Sequence, residues 1–364
     1  RLMSNLSELL PAGGGGKNVD FVASGTLPSG QTVSLNSDGT VSPIAITAEV
    51  VGTETEFKSA RTDYTQAVYD VNANKIVIFY VLSTGGKYGV VGTVSGSAIS
   101  FGTPVLIASG AAYSVLGAVY DANAQKVVFG YREGTSSGLK VAVGTVSGTS
   151  ISFGTPVAID SGNNENGGSM AYDANAQKIV FSFPSANDSQ YGAAVVGTVS
   201  GTSMTFGTKV IYTSEAINTN AKSGVAYDSV AQKVLIGYVT NSTPRGYGIV
   251  GTVSGTSISF GTAVKYSGDV ATYGMSLGYS SSSGKIIIVY EDSATNNGLA
   301  VAATLSGTSV SYGDTLTWVS NGLNLSVNTL ASLTEDTNAG LMVCGFVNTS
   351  ANGLSLIHIS EPTR

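Results

Sequence analysis

The sequence is short of charge. Asp, Glu, Lys and Arg make up 11% of its 364 residues, where about a quarter is usual. The net charge is −6 and the Lys and Arg residues are scattered. Without a concentrated basic patch, no nucleic-acid partner is expected. No apolar run approaches the ~18 residues of a membrane span, so membrane insertion is not expected. The amino terminus has no basic segment followed by an apolar one, so it does not read as a signal peptide. The single cysteine, Cys344, has no internal partner for a disulfide. Its setting, Leu341-Met342-Val343-Cys344-Gly345-Phe346, reads as an apolar strand with a small buried hydrophobe.

Histidine is scarcer than it looks. The one copy, His358, lies in Leu354-Ser355-Leu356-Ile357-His358-Ile359-Ser360-Glu361-Pro362-Thr363-Arg364. This stretch resembles the in-frame translation of a transposase-type sequencing adapter. Residues 354–364 are therefore expected to be non-native and are set aside from fold reasoning. Met3-Ser4-Asn5-Leu6, behind Arg1-Leu2, reads as a natural start. Without histidine, Ser-His-Asp and Cys-His catalytic sets and His-containing metal sites are excluded.

Gly, Ser, Thr, Val and Ala fill the space left by charge, a composition of many short strands and tight turns. They are arranged in a repeat of about 52 residues. Tyr-Asp followed by a polar turn and an apolar run occurs at Tyr69, Tyr120, Tyr172 and Tyr227, then weakly at Tyr279-Ser280 and Leu333-Thr334. Gly-Thr-Val-Ser-Gly begins at Gly92, Gly144, Gly197 and Gly251, with Ala303–Gly307 as a fifth copy. Phe-Gly-Thr follows at Phe101, Phe153, Phe206 and Phe260, with Tyr312-Gly313-Asp314 after them. All three motifs keep one phase.

Each unit predicts four strands. In the second they are a (Ser114–Tyr120), b (Lys126–Tyr131), c (Leu139–Val146) and d (Ser150–Ile159). Four strands in some 50 residues is the size of a propeller blade. Small residues on strand a (Gly117, Ala118, Ala171, Gly224, Ala226, Gly278) suit the crowded innermost strand. The expected fold is thus all-β, a β-propeller of about six four-stranded blades. Val51-Gly52-Thr53 repeats the Phe101-Gly102-Thr103 motif, so residues 45–57 read as a lone strand d. The carboxy-terminal side supplies a and b, and the closing blade, shared between the termini, is incomplete. An open β-solenoid is the rival architecture. The expected organisation is 1–44, a docking segment with a Gly13–Gly16 linker and a short hairpin; 45–353, the propeller; and 354–364, the adapter-derived tail.

The repeat is constant on one side only. The a–b and c–d turns scarcely vary, whereas the b–c loops (such as 132–138 and 239–247) and d–a loops (such as 161–168 and 213–222) differ in length and content. Diversified loops on a rigid scaffold are where binding is expected. That face carries the candidate ligand-binding residues Tyr64, Tyr88, Tyr113, Arg132, Asp188, Tyr191, Arg245, Tyr247 and Tyr273. Tyrosine beside short polar residues gives amphipathic contact area at low entropy cost, and its ring suits the apolar face of a sugar. The bland alternative is that each tyrosine fills a loop base.

Other chemistry is weakly represented. Glu133, Asp188, Glu291 and Asp292 share the variable face, but nothing in their spacing singles out a glycosidase pair. Sialidase-type Ser-x-Asp-x-Gly-x-Thr-Trp boxes are missing. Asp121-x-Asn123-x-Gln125 and its copies resemble the opening of a calcium loop, without the glycine and late glutamate it needs; turn chemistry explains them. No cofactor and no metal are expected.

The amino-terminal string Met3–Leu6, Leu9-Leu10-Pro11-Ala12-Gly13-Gly14-Gly15-Gly16-Lys17-Asn18-Val19-Asp20-Phe21 and Asp38-Gly39-Thr40-Val41 resembles the start of virion structural and tail-fibre-like proteins of marine tailed phages. The Gly-Thr-Val-Ser-Gly repeats are similar to repeats in the same proteins. The resemblance implies a particle protein located in the virion and not an enzyme. Its partners would be other virion proteins, through the amino-terminal segment, and a host-surface glycan or protein, through the propeller. An extracellular bacterial adhesin and a glycan-active hydrolase are the alternatives.

Overall fold

A strand whose successive residues are all apolar must be covered on both faces. Val127-Val128-Phe129 is such a run, and the computed structural model of the protein buries all three completely. The structure describes residues 22–26, 33–43, 52–110, 114–134, 138–162, 167–219, 221, 223–320, 323, 332–348 and 353–359. The chain divides into two compact units, Arg1–Thr53 and Glu54–Arg364.

In the first unit β1 (Val33–Leu35) and β2 (Val41–Pro43) form an antiparallel hairpin. Gly39 takes φ +84° in its turn, and Asp38 Oδ1 accepts hydrogen bonds from the Thr40 amide (2.9 Å) and hydroxyl (2.7 Å). The expected helical turn at residues 4–10 and the glycine linker lie outside the described residues.

The second unit is six sheets in succession. Sheet I holds β3 (Thr62–Asp70), β4 (Lys75–Leu82), β5 (Lys87–Ser95) and β6 (Ala98–Phe101), with β7 (Val105–Ala108) also paired to β5. Sheet II repeats this with β8 (Ser114–Asp121), β9 (Lys126–Arg132), β10 (Leu139–Ser147), β11 (Ser150–Phe153) and β12 (Val157–Ala158). Sheet III has β13 (Ser169–Asp173), β14 (Lys178–Ser185), β15 (Tyr191–Ser200), β16 (Ser203–Phe206) and β17 (Val210–Ala216). Sheet IV has β18 (Gly224–Asp228), β19 (Lys233–Val239), β20 (Gly246–Ser254), β21 (Ser257–Phe260) and β22 (Val264–Lys265). Sheet V has β23 (Thr272–Ser280), β24 (Lys285–Asp292), β25 (Asn297–Ser306), β26 (Ser309–Tyr312) and β27 (Leu316–Val319). Sheet VI has three strands, β28 (Ser332–Asp336), β29 (Leu341–Asn348) and β30 (Gly353–Ile359). The first strand of each sheet packs against the first strand of the next. The protein is an all-β propeller, as the repeat predicts.

The small residues of strand a have a packing reason. A Cβ on Gly224 would stand 2.6 Å from Leu277 Cδ1, and one on Gly278 would stand 2.6 Å from Met342 Cε, both on the following sheet. The expected strand d is divided in two wherever it is described. Its second half rejoins strand c after a kink at the aromatic-Gly-Thr motif. In sheet II the kink is Gly154-Thr155-Pro156, and proline has no N–H for the ladder.

The last sheet corrects the phase of the repeat. Asp336 pairs with Leu341 as Asp228 pairs with Lys233, so Glu335-Asp336, and not Leu333-Thr334, is the final copy of Tyr-Asp. Its third strand, β30, includes Leu354–Ile359 from the stretch read as adapter-derived, and pairs with β29 from Gly353 to Ile359. Of the expected amino-terminal strand d, residues 45–51 lie outside the described residues and residues 52–57 form no strand. Phe57 nevertheless packs where a preceding blade would place it. Its ring meets Tyr80 at 5.3 Å and Phe101 at 5.8 Å. Tyr212 likewise meets Tyr238 and Phe260 of sheet IV, and Tyr266 meets Tyr290 and Tyr312 of sheet V.

Candidate functional site

The constant face is occupied by the chain itself. In the a–b turns, Asp121 Oδ1 accepts from the amides of Asn123 (3.0 Å) and Ala124 (2.9 Å), and Asp228 Oδ1 does the same for Val230 and Ala231. The carboxylate that resembled a calcium ligand thus serves its own turn. The residue before each turn lysine needs a left-handed backbone, met by Asn74, Gln125, Gln177 and Gln232 at φ 53–56° and by Gly284 in sheet V. The tyrosine of Tyr-Asp ties neighbouring sheets together: Tyr172 Oη accepts from the Asn123 amide and Tyr227 Oη from the Asn175 amide, both at 3.2 Å. Glu335 takes over this duty in sheet VI, its Oε1 accepting from the Ser282 amide at 3.1 Å.

The glycine after each strand-d aromatic completes the seam. Gly102, Gly154, Gly207 and Gly261 lie against the carbonyl oxygens of Thr149, Thr202, Thr256 and Thr308, in the c–d turn of the following sheet. There is no room for a Cβ. The Ser-Gly-Thr turns are correspondingly uniform, with Gly148, Gly201 and Gly255 at φ 60–61°. Constancy on this face therefore reflects sheet-to-sheet docking.

The variable face is built differently. Tyr88, the second residue of β5, lies directly opposite Tyr80, and Tyr247 lies in β20 directly opposite Tyr238. Both pairs stack nearly parallel, at 5.5 Å and 13° for Tyr80–Tyr88 and 5.7 Å and 18° for Tyr238–Tyr247. The inner rings are buried and the outer ones half-buried. Beside the second pair, Glu215 accepts a hydrogen bond from Ser242. Burial first, then the charges of Tyr247 and Glu215, push the Tyr238 phenol up.

The other predicted residues are dispersed. Tyr64, in β3, is half-buried and packs against the core between sheets I and II. Burial and then Asp63 raise its phenol. Tyr191 opens β15 opposite Ser185, half-buried. Asp188 lies in a 3-10 turn (Ala186–Asp188), where Oδ2 accepts from Ser185 Oγ (2.6 Å) and pairs with Lys209 Nζ (2.9 Å). Those two bonds hold its carboxyl below the usual range. Arg245 closes a b–c loop, with Nη1 donating to the Pro244 carbonyl at 3.0 Å. Tyr273, opposite Glu291, is 43% exposed. Arg132 corrects the expectation: it is the last residue of β9 and only 2% exposed, so it belongs to the loop base and not to a contact surface. Tyr113 lies outside the described residues.

Sequence reading missed four contributors. Lys87 is completely buried, its Nζ donating to the carbonyls of Gly110 (2.8 Å) and Glu133 (3.3 Å), 5.7 Å from the Tyr131 ring centre. Burial lowers its pKa, against the pull of Glu133. It pins loops of two sheets together. Lys209 bridges Asp160 (2.7 Å) and Asp188 across sheets II and III. The inner tyrosines Tyr80 and Tyr238 were the legible ones, since they recur at one fixed distance after Tyr-Asp.

No family model and no curated protein matches the sequence. Solved structures do. AofleA from Arthrobotrys oligospora is 12% identical with a TM-score of 0.54, covering 84% of this chain and 89% of its own. The fucose-specific lectin from Aleuria aurantia is 12% identical with a TM-score of 0.52, covering 82% and 93%. A Bacteroides uniformis protein assigned as a 6-phosphogluconolactonase is 10% identical with a TM-score of 0.50, covering 80% and 83%. At such identities the likeness is one of fold, and the chain shares its propeller architecture with a fucose-specific lectin and with a protein assigned an enzymatic activity.

Proposed function

We propose that the protein is a non-enzymatic carbohydrate-binding propeller, carried on a phage particle by its amino-terminal segment and reading host-surface glycans with its variable-loop face. One observation carries this reading: the constant face is used up in sheet-to-sheet contacts, while the variable face presents half-buried tyrosine rings backed by buried ones. A stacked, pre-positioned ring offers a sugar an apolar platform with little entropy left to lose. The fucose specificity of the Aleuria aurantia lectin, on a similar architecture, agrees with a sugar ligand. The virion setting rests on the amino-terminal resemblance.

Four carboxylates on that face are already engaged, which favours binding over hydrolysis. Glu133 is ion-paired with Lys140, and Asp188 and Asp160 with Lys209. Asp292 accepts from the Ala294 amide and the Thr295 hydroxyl in its own turn. A glycosidase acid needs a carboxyl whose pKa is raised, and that of Asp188 is lowered.

The test is a glycan array probed with the wild type, the double variant Tyr88→Leu/Tyr247→Leu and a constant-face control, Thr202→Ser. Oligosaccharide signals should appear for the wild type and the control and disappear in the double variant. An array on which the wild type captures no glycan would sink the reading.

A further inference from the structure

One register position in strand c decides how many sites there are. In sheets I to V it holds Tyr88, Lys140, Ala193, Tyr247 and Leu299, directly opposite Tyr80, Tyr131, Phe183, Tyr238 and Tyr290 of strand b. These strand-b residues form one inner row beside each sheet junction. What lies over the row determines whether a ligand can reach an aromatic surface there.

At three of the five junctions the position is closed. Lys140 is ion-paired with Glu133. Ala193 is completely buried, and the Tyr212 ring fills the space over the adjacent Gly192. Leu299 is buried, and beside it Trp318 and Leu323 cover Gly298, where a Cβ would stand 2.7 Å from the indole. At the other two, in sheets I and IV, a half-buried tyrosine stacks on the inner one. The likeness of these two extends behind the pair. Phe57 supports Tyr80 and Phe101 as Tyr212 supports Tyr238 and Phe260, so each site is a four-ring cluster with one outward member.

Resting on the carbohydrate-binding reading above, we propose that the chain carries two separate pyranose sites, one on the Tyr80–Tyr88 stack and one on the Tyr238–Tyr247 stack. They are three sheets apart in a six-sheet array, so they engage two different glycans and not two residues of one short oligosaccharide. The sites are unequal. The sheet IV stack has the Glu215 carboxylate and the Ser242 hydroxyl beside it, groups able to bind sugar hydroxyls. At the register of Glu215, the sheet I junction has Ala60. The sheet IV site is therefore the tighter one.

The experiment is a titration of the full chain with methyl α- and β-pyranosides of fucose, galactose, glucose and mannose, followed by calorimetry and saturation-transfer NMR. The preferred glycoside should saturate two equivalents. Tyr88→Leu should remove the weaker one, Tyr247→Leu the tighter, each by about tenfold or more in affinity, and the double variant both. Leucine is the natural occupant of this position in sheet V, so the fold accepts it; a melting curve for each variant checks this. One equivalent, lost with Tyr247→Leu and indifferent to Tyr88→Leu, would overturn the two-site inference and leave the carbohydrate reading standing. Two equivalents that survive the double variant would place the sites elsewhere and overturn it too. No glycoside bound by the wild type, with a blank array, removes the carbohydrate reading itself.

Discussion

Tyr88 and Tyr247 have the same composition-level signature as Tyr64 and Tyr191, yet they differ in setting. What separates them is the residue opposite: a second tyrosine under the ring, in place of Val81 or Ser185. A lone tyrosine at a loop base fills space, whereas a stacked one presents a ring already fixed in position. Single glycines differ in a similar way. Gly148, at φ +61°, has nothing within 4 Å of where a Cβ would sit, while a Cβ on Gly154 would run into the Thr202 carbonyl. Gly148→Ala is expected to lose about 1–2 kcal/mol from left-handed strain alone. Gly154→Ala must push neighbouring sheets away from each other and is expected to lose more, at or above the ~1–3 kcal/mol of an overpacked core. Chemical unfolding of the two variants checks the order; equal losses would mean the seam yields easily.

At the level of the blade, the sequence was informative because strand chemistry is local. The predicted limits of strands a, b and c in the second repeat agree with β8, β9 and β10 to within a residue at each end. Phe-Gly-Thr-Pro is compatible with an extended chain, so the pattern predicts a continuous strand d; its kink depends on the turn of the next sheet. The phase of the last repeat was misplaced because Glu335 replaces the marker tyrosine. Only the Ser282 amide, on another sheet, shows that the two residues do one job. This gives a pH signature. Burial opposes the charge on Glu335, but hydrogen bonds from Ser281 and Ser282 outweigh it and take the carboxyl from 4.5 to about 2. A depressed carboxyl stabilises fully above its unfolded pKa and loses that contribution as pH falls through the folded value. The wild type should therefore melt above Glu335→Gln at neutral pH, with the gap closing as pH falls from about 4.5 towards 2. A gap that persists at pH 2 would refute the assignment.

For the propeller as a whole, the first sheet differs from those that follow. Tyr69 hydrogen-bonds its own Asn74 and is 50% exposed, whereas the later tyrosines of the motif are half-buried between sheets. Phe57 covers part of the face of sheet I that a preceding blade would cover. Phe57→Ala removes two aromatic contacts, each about 0.5–1.5 kcal/mol, and is expected to lower stability by roughly 1–3 kcal/mol. It should also quench part of the near-ultraviolet dichroism of Tyr80. Unchanged melting and dichroism would show that Phe57 does not hold this face of sheet I.

The sequence by itself determined the repeat, the strand content and the one-sided constancy of the turns, because alternation, turn glycines and Asp-capped hairpins act over a few residues. It also raised the expectation that binding uses the face that varies. Only the tertiary structure decided which variable-face residues meet. Arg132 went into the loop base, and Lys87, unremarked in sequence, became a buried pin between sheets. Two tyrosines of nine candidates acquired partners beneath them. The Gly154–Thr202 seam and the rings behind each stack join residues more than 40 positions apart in sequence. Such contacts depend on how the sheets pack, which no local pattern records.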